Sequence, residues 1–304
     1  MDRYLSFSRY LKNSFYRRLY KVSLNAHMTC PNRDGTCGKS GCIFCSASGS
    51  GDFAIPFDGE TLQRKDLIFN HQDSDDGFIA YFQSFTNTYA PIEKLERIFR
   101  AALSNDLFTG ISIATRPDCM SDEVIELLVK LREEYTPKFI WIELGLQTIH
   151  EKTAVWMRRG YSLPVFDDCV DRLHKAGFPV IVHIILGLPQ ETDTMVYETI
   201  DYLNQKQIEG IKLQLLHYLK DSDLGRDYLI HPDHYHPLEM DEYIALVCGC
   251  IARLNPSIVI HRISGDGNKE QLLTPLWSMD KRNVINQINH ALKENNIVQG
   301  CMVK

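Results

Sequence analysis

Four of the nine cysteines in this chain fall within sixteen residues, in the glycine-rich stretch NAHMTCPNRDGTCGKSGCIFCSASGSGDF (25–53). Cys42 and Cys45 form a C-x2-C pair, whereas Cys30 and Cys37 have no such close neighbour. Disulfides are rare in a reducing cytosol, so clustered thiols there more often bind metal or perform redox chemistry. Two metal centres remain open: a zinc ion held by all four cysteines, and a cubane [4Fe–4S] cluster held by three, with one iron open to a small molecule.

The composition indicates a soluble globular protein, since 44% of the 304 residues are hydrophobic and 24% are charged. No apolar run reaches the roughly 18 residues of a spanning helix, and the first residues lack the apolar stretch of a secretory signal. We therefore expect a cytoplasmic protein with no membrane partner. The net charge is −6, yet residues 1–40 contain eight basic residues against two acidic ones. That asymmetry indicates either a polyanionic partner or a solvated helix face.

Short apolar runs, rich in β-branched and aromatic residues, recur along the chain and predict strands buried on both faces. They are YKVSLN (20–25), FIAYFQSF (78–85), GISIAT (110–115), FIWIELGLQ (139–147), FPVIVHIILG (178–187), GIKLQLLH (210–217) and SIVIHR (257–262).

Helical patterns lie between these runs. Residues 121–135 carry an apolar stripe with Ser121 as N-cap, and residues 162–177 begin at Ser162 and end at Gly177. Alternating strands and helices predict right-handed βαβ units and a parallel sheet. Six or seven such units favour a barrel or partial barrel over an open dinucleotide-binding sheet, and no G-x-G-x-x-G follows the first strand.

Polar residues gather where these strands end, and the cysteine loop follows the first strand. Active sites of (β/α) barrels lie at the C-terminal strand ends, so we expect a site at this edge. A single polar residue at a strand end would more often be a structural group whose hydrogen bonds are made within the protein. The residues concerned are Gln83, Ser84, Thr115, Arg116, Glu143, Gln147, Gly187, His217, His261 and Arg262.

These motifs together resemble the radical S-adenosylmethionine (SAM) superfamily. The segments that carry the resemblance are CPNRDGT…GCIFCSASGSGDF, AYFQSFTNTYAP, GISIATRPDC, ELGLQTIHEKT, GLPQET, IKLQLLHYLK and HRISGDG. The usual spacing is C-x3-C-x2-C, whereas Cys30, Cys42 and Cys45 follow C-x11-C-x2-C, a lengthening found in the subgroup of elongator-type tRNA-modifying enzymes. The chain is most similar to a YhcC/YtqA-like bacterial family, of MnmL type, that acts on the tRNA wobble uridine in Gram-positive bacteria.

The resemblance implies an α/β fold, a partial (β/α) TIM-like barrel of parallel strands with short terminal extensions. The expected division is a basic N-terminal extension (1–20), a radical SAM core (21–263) with its cluster loop (26–53), and a C-terminal helical extension (264–304). The cofactors implied are a [4Fe–4S] cluster and SAM. The family pattern places the cluster ligands at Cys30, Cys42 and Cys45 and leaves Cys37 outside.

Site residues follow from the same resemblance, position by position. The residues expected to contact SAM are Phe44, Gln83, Thr86, Arg116, Glu143, Gln147, His183 and Gly187. Those expected to face the substrate are Arg17, Arg18, Lys21, Lys212, His217, His261 and Arg262, and WMRRGY (156–161) is expected to add to an RNA-binding surface. No single catalytic side chain is identified.

The implied reaction begins with reductive cleavage of SAM to methionine and a 5′-deoxyadenosyl radical. The implied substrate is tRNA with 5-carboxymethylaminomethyl-(2-thio)uridine at position 34, converted to the 5-aminomethyl form. A cellular electron donor such as flavodoxin or ferredoxin is a further expected partner. Two alternatives remain open from the residues: a radical SAM enzyme that acts on a protein or a small molecule, and a zinc-stabilised interaction protein.

Overall fold

Eight parallel strands form one sheet that curls into a half-barrel, in the order β2-β1-β3-β4-β5-β6-β7-β9. The computed structural model describes residues 2–49, 51, 53–60, 62–63, 76–265 and 267–303, so residues 50 and 52 of the cysteine loop lie outside it. The sheet contains β1 (Leu19–Asn25), β2 (Ile55–Pro56), β3 (Gly77–Phe82), β4 (Phe108–Thr115), β5 (Phe139–Gln147), β6 (Val180–Leu186), β7 (Gly210–Leu215) and β9 (Val259–Arg262); β8 (Tyr218–Leu219) and β10 (Leu272–Thr274) form a separate antiparallel pair.

The strands form because their apolar residues can be buried on both faces of the sheet. Every residue of β3 is buried, and so are most residues of β4 and β6. Helices cover the outer face, as parallel sheets require. This architecture confirms the predicted α/β partial barrel, and all seven predicted strands are present.

Apart from the first, which precedes β1, the described helices lie between or after the strands of the sheet. They are α1 (Phe7–Phe15), α2 (Ile92–Ser104), α3 (Asp122–Glu134), α4 (Glu151–Trp156), α5 (Leu163–Lys175), α6 (Asp193–Gln205), α7 (Asp223–Ile230), α8 (Met240–Arg253) and α9 (Lys281–Glu294), with 3₁₀ turns at Pro117–Cys119, Pro232–His234 and Leu276–Met279. None of the described helices is long and apolar enough to cross a membrane.

The predicted helix caps are confirmed in one case and differ in the other. The side chain of Ser121 accepts a hydrogen bond from the backbone N–H of Val124 at the start of α3. Ser162 occupies the N-cap position of α5 but makes no side-chain cap bond. Pro164 follows two residues later and lacks an N–H, and the N–H of Val165 instead donates to the backbone oxygen of Ser162.

Helix α1 packs against the half-barrel near β1 and β9. Ser6, just before it, bridges to Ile260 of β9, and Phe7 stacks on His261 with ring centres 4.2 Å apart. At the other end of the chain, α9 packs on α8 and buries Val284 and Ile288. The division into N-terminal extension, core and C-terminal extension stays a prediction.

Candidate functional site

The C-terminal ends of the central strands surround one cavity. It brings together three of the four clustered cysteines and nine of the fifteen residues expected to contact SAM or substrate. These are Cys30, Cys42, Cys45, Phe44, Gln83, Thr86, Arg116, Glu143, Gln147, His183, Lys212 and Arg262.

Cys37 does not join the other cysteines. It is exposed and lines a different cavity, beside Tyr89 and Cys119. Because Cys37 points to another part of the surface, the described residues do not form a four-cysteine zinc site. The geometry therefore separates Cys37 from the set Cys30, Cys42 and Cys45.

Asn32 holds the cysteine loop against the segment that follows α4. Its Nδ2 donates to the backbone oxygens of Arg158 at 2.7 Å and Arg159 at 3.1 Å, and lies 3.5 Å from Sγ of Cys42. The N–H of Gly41 donates in turn to the backbone oxygen of Asn32. Asn32 is only 3% exposed, so these bonds form in a poorly solvated place. Asn32 thus connects the part of the loop near Cys42 to the segment that follows α4.

Arg33 holds the far side of the same loop. Its guanidinium donates to the backbone oxygens of Cys45 at 3.3 Å and Ala47 at 3.2 Å, and also to that of Ser46. The guanidinium lies over the ring of Phe85, 5.2 Å from its centre. These contacts place a positive charge beside Cys45, where it would offset a thiolate.

Burial governs the acidity of two of the thiols. It raises the pKa of Cys42 to about 12, and the charge of Cys45 adds to this rise. Burial also raises the pKa of Cys45, against the opposing charge of Arg33. Metal ligation requires thiolates, so loading this site releases protons.

The cysteine set fits a three-cysteine cluster. Among the described residues, no three His, Cys, Asp or Glu side chains are arranged to hold a single metal ion. A cubane cluster needs a wider arrangement, because each cysteine binds a different iron. Cys30, Cys42 and Cys45 all line the cavity that the strand ends surround, which provides space for a further ligand from outside the protein.

Arg116 lies at the cavity wall with its charge already paired. Its guanidinium makes two parallel hydrogen bonds to Asp118, at 2.9 and 2.7 Å, and a third to the backbone oxygen of Arg159 at 2.7 Å. It also lies over the ring of Tyr161. Binding of a SAM carboxylate by Arg116 would have to share this guanidinium with Asp118.

Glu143 lines the cavity and is the centre of a buried charge network. Its fully buried carboxylate pairs with Lys21 and, at 2.5 Å, with Lys212. Ser112 donates to Oε1 at 2.5 Å, and Nε2 of His183 donates to Oε2 at 2.6 Å. With these four partners, the carboxylate oxygens have little capacity left for a ligand.

The network sets the protonation of its members. Burial alone would raise the pKa of Glu143, but the charges of Lys21 and Lys212 hold it well below its usual range. Burial lowers the pKa of His183 to about 4, so its imidazole is neutral near pH 7. Burial also lowers the pKa of Lys212 well below its usual value, against the opposing charge of Glu143.

Six expected residues lie away from the cavity. Arg17 and Arg18 precede β1 and so lie at the strand end opposite the cysteine loop, in a separate basic cleft. Lys21 is largely buried, and its ammonium group pairs with Glu143. His261 is half-buried, and its ring stacks on that of Phe7. Gly187 and His217 line two neighbouring cavities.

Several residues have roles at the site that the sequence did not predict. Arg159 was expected on an RNA-binding surface but is only 2% exposed. Its guanidinium pairs with Glu151 and donates to the backbone oxygens of Leu146 and Thr148. Tyr81 lines the cavity two residues before Gln83, and the alternation along β3 would have found it. Asn32 gives no comparable signal, because its partners lie more than 120 residues away.

A half-barrel whose strand ends surround three clustered cysteines matches one family of enzymes. Residues 30–203 match the model of the Radical SAM superfamily, and residues 208–294 match that of the Radical SAM C-terminal domain. The chain therefore belongs to the radical SAM superfamily. Members of this superfamily use a [4Fe–4S] cluster and SAM.

Relatives cover nearly the whole chain. It is 40% identical to YtqA of Bacillus subtilis over 301 residues, which is 98% of this chain and 92% of YtqA. It is 29% identical to YhcC of Escherichia coli over 289 residues, 94% of this chain and 91% of YhcC. The solved structure of Elp3 from the archaeon Methanocaldococcus infernus has a TM-score of 0.61 at 16% identity, covering 73% of this chain and 55% of that one. This last likeness shows the fold alone.

Proposed function

We propose that this chain is a radical SAM enzyme that modifies tRNA at wobble uridine 34, converting 5-carboxymethylaminomethyl-(2-thio)uridine to the 5-aminomethyl form. The observation that carries the chemistry is the single cavity lined by Cys30, Cys42, Cys45 and polar groups from the strand ends. The motif resemblance to the wobble-uridine family supports the substrate.

In this proposal Cys30, Cys42 and Cys45 hold the cluster, and the cluster with SAM supplies the radical that removes a hydrogen atom from the substrate. Gln83, Thr86 and the other polar residues of the wall orient SAM. Phe44, between two of the ligands, packs beside the adenine. The enclosing wall excludes water from the reacting groups.

The hydrogen proposed to be removed is on the methylene between the substituent's nitrogen and its carboxylate. A radical at that carbon is stabilised by both neighbours. Return of one electron to the cluster would leave an imine, and water would hydrolyse its C–N bond to give the 5-aminomethyl group and glyoxylate. A flavodoxin or ferredoxin is the proposed electron donor, and the cytoplasm the proposed location. Arg17 and Arg18, distant from the cavity, are proposed to hold tRNA phosphates outside the anticodon loop.

The test is an anaerobic incubation of cluster-loaded enzyme, SAM and reductant with tRNA that carries the carboxymethylaminomethyl group. Nucleoside mass spectrometry should show conversion to the 5-aminomethyl form, and Cys45→Ala should show none. Retention of the carboxymethyl group with the intact enzyme would contradict the substrate assignment.

The separation of the basic cleft from the cavity favours one alternative, a radical SAM enzyme for a protein or small-molecule substrate. Binding measurements at increasing salt distinguish the two. A tRNA ligand gives a steep loss of affinity with salt, because phosphate contacts release counterions. Weak, salt-independent tRNA binding would favour the alternative.

A further inference from the structure

Three polar side chains from neighbouring strands form a row on the inner face of the half-barrel. In the strand register, His183 of β6 is the partner of Lys212 of β7, and Lys212 is the partner of Arg262 of β9. Side chains of directly paired residues point to the same face of a sheet. All three line the cavity, so we call them the cationic row.

The positive charge around this row is not fully neutralised. Lys21, Lys212 and Arg262 are close enough for their charges to interact. Within the described part of the chain, Glu143 is the one carboxylate that lines the cavity, and both lysines share it. Three basic side chains therefore lie around a single carboxylate of the described residues.

Arg262 is the least engaged of these cations. Among the described residues, its guanidinium has no hydrogen-bond or ion-pair partner. The other arginines of the wall differ, since Arg116 pairs with Asp118 and Arg159 pairs with Glu151. A partly buried guanidinium without an acceptor is a ready site for an anion, and its planar donors match the two oxygens of a carboxylate.

We propose that Lys212 and Arg262 bind a carboxylate of the substrate and so select the substrate by that group. This inference rests on the proposed function, under which the carboxylate is that of the carboxymethylaminomethyl substituent. Of the three N–H donors of the Lys212 ammonium group, one is given to Glu143 and one, at 2.9 Å, to the hydroxyl of Tyr81. One donor remains for a further acceptor. An anion here would also relieve the repulsion among the three cations.

The methionine part of SAM also carries a carboxylate that could bind here. The depth of Lys212 in the half-barrel favours the carboxylate of the substrate instead. Lys212 lies three residues before the end of β7, which places it about 10 Å below the strand ends at ~3.3 Å per residue. The cysteines lie in the loop beyond the end of β1. Gln83 and Thr86, which are proposed to orient SAM, follow the end of β3, so the proposed SAM site lies near the strand ends.

The experiment measures binding without turnover. Cluster-loaded enzyme with SAM, but without reductant, is titrated by fluorescence anisotropy with anticodon stem-loops carrying either 5-carboxymethylaminomethyluridine or 5-aminomethyluridine. The wild-type enzyme should prefer the first by roughly 10- to 100-fold, the range expected for hydrogen bonds to a charged group. Arg262→Gln should lose most of this preference, and Arg262→Lys should keep part of it. Lys175→Gln, which removes an exposed charge on α5, should keep all of it.

Arg262→Gln is the main variant because no described ion pair is lost with it, and Lys212→Gln is the second. A wild-type enzyme without preference, or variants that keep it, would overturn the proposal. SAM affinity, measured by equilibrium dialysis, should be unchanged in Arg262→Gln. Loss of SAM affinity with retained stem-loop preference would assign the carboxylate to SAM and overturn the proposal as well.

The reaction and the binding site are tested separately. An enzyme that prefers the carboxylate-bearing stem-loop but leaves the group in place supports the anion site and contradicts the proposed reaction. Conversion without any preference contradicts the anion site alone. An enzyme that binds neither stem-loop overturns both.

Discussion

The side-chain amide of Asn32 lies 3.5 Å from the sulfur of Cys42 and fastens the cysteine loop to the segment after α4. The same amide donates to the backbone oxygens of Arg158 and Arg159. These contacts join residues 126 and 127 positions apart in the chain. The position of the proposed cluster ligand Cys42 therefore depends on a second, distant loop.

Asn32→Ala should loosen the cysteine loop and weaken cluster retention. Unsatisfied buried acceptors cost about 1–3 kcal/mol, so a comparable fall in unfolding free energy is expected. The measurement is the rate at which reconstituted protein loses iron to a chelator, which should rise. Asn204→Ala is a matched control, because Asn204 also bonds to backbone groups but lies away from the cavity. Equal iron loss in the two variants would contradict a specific role for Asn32.

Gly160→Ala should displace Asn32. Gly160 has a φ of +82°, and a Cβ there would lie 2.4 Å from Oδ1 of Asn32. Gly177→Ala is the matched control, since its φ is +78° but its Cβ would meet only the flexible side chain of Arg132, at 3.1 Å. Both variants should lose about 1 kcal/mol or more of stability through backbone strain. Iron content after reconstitution should fall only in Gly160→Ala.

Substitution of single cysteines should distinguish the cluster ligands from a cysteine that does not bind the cluster. Cys37→Ala should keep the iron and SAM cleavage, because Cys37 lines another cavity. Cys30→Ala should lose both, because Cys30 lines the cavity with Cys42 and Cys45. Iron analysis and the yield of 5′-deoxyadenosine after anaerobic reconstitution provide the measurements. The reverse result would exchange Cys37 for Cys30 in the ligand set.

Much of the fold follows from local sequence. The run at 139–147 is an apolar strand that the structure reproduces residue for residue, and the cap at Ser121 follows from its side chain alone. The C-x2-C pair of Cys42 and Cys45 could also be recognised in the sequence, because its two cysteines lie three positions apart.

The buried charge network of the site was harder to predict, because its interacting residues lie far apart in the sequence. Glu143 was expected to face SAM and does line the cavity, but its partner Lys21 lies 122 residues away in the chain. A sequence shows each charge but not which charges the sheet order places together. Arg116 and Asp118 are an exception, since the motif Arg-Pro-Asp places both groups within two residues.

Glu143→Gln should destabilise the fold strongly. The change leaves Lys21 and Lys212 buried without their shared carboxylate, and breaking a buried pair in this way costs about 3–5 kcal/mol. Urea unfolding measures the loss. The double variant Glu143→Gln/Lys212→Met should recover part of it, because it removes one of the unpaired charges. A double variant less stable than Glu143→Gln would contradict this account of the network.

His183 should make stability depend on pH between about 4 and 6.5. Its pKa falls to about 4 in the folded chain, while an unfolded histidine titrates near ~6.5. In that window the unfolded chain binds the extra proton, so stability is complete above about 6.5 and declines as the pH falls toward 4. The slope should reach about 1.4 kcal/mol per pH unit for this one imidazole. His261, whose pKa burial also lowers, adds a similar slope.

His183→Gln isolates this contribution. Urea unfolding of both proteins at several pH values should show a shallower slope for the variant between pH 4.5 and 6, within the window set by the pKa of His183. His290→Gln is the control, because His290 is exposed on α9 and has no contact with the Glu143 network among the described residues. If His183→Gln retained the full slope, the imidazole would have to be charged in the folded chain. The hydrogen bond to Glu143 would then be a full ion pair rather than a contact made by a neutral ring.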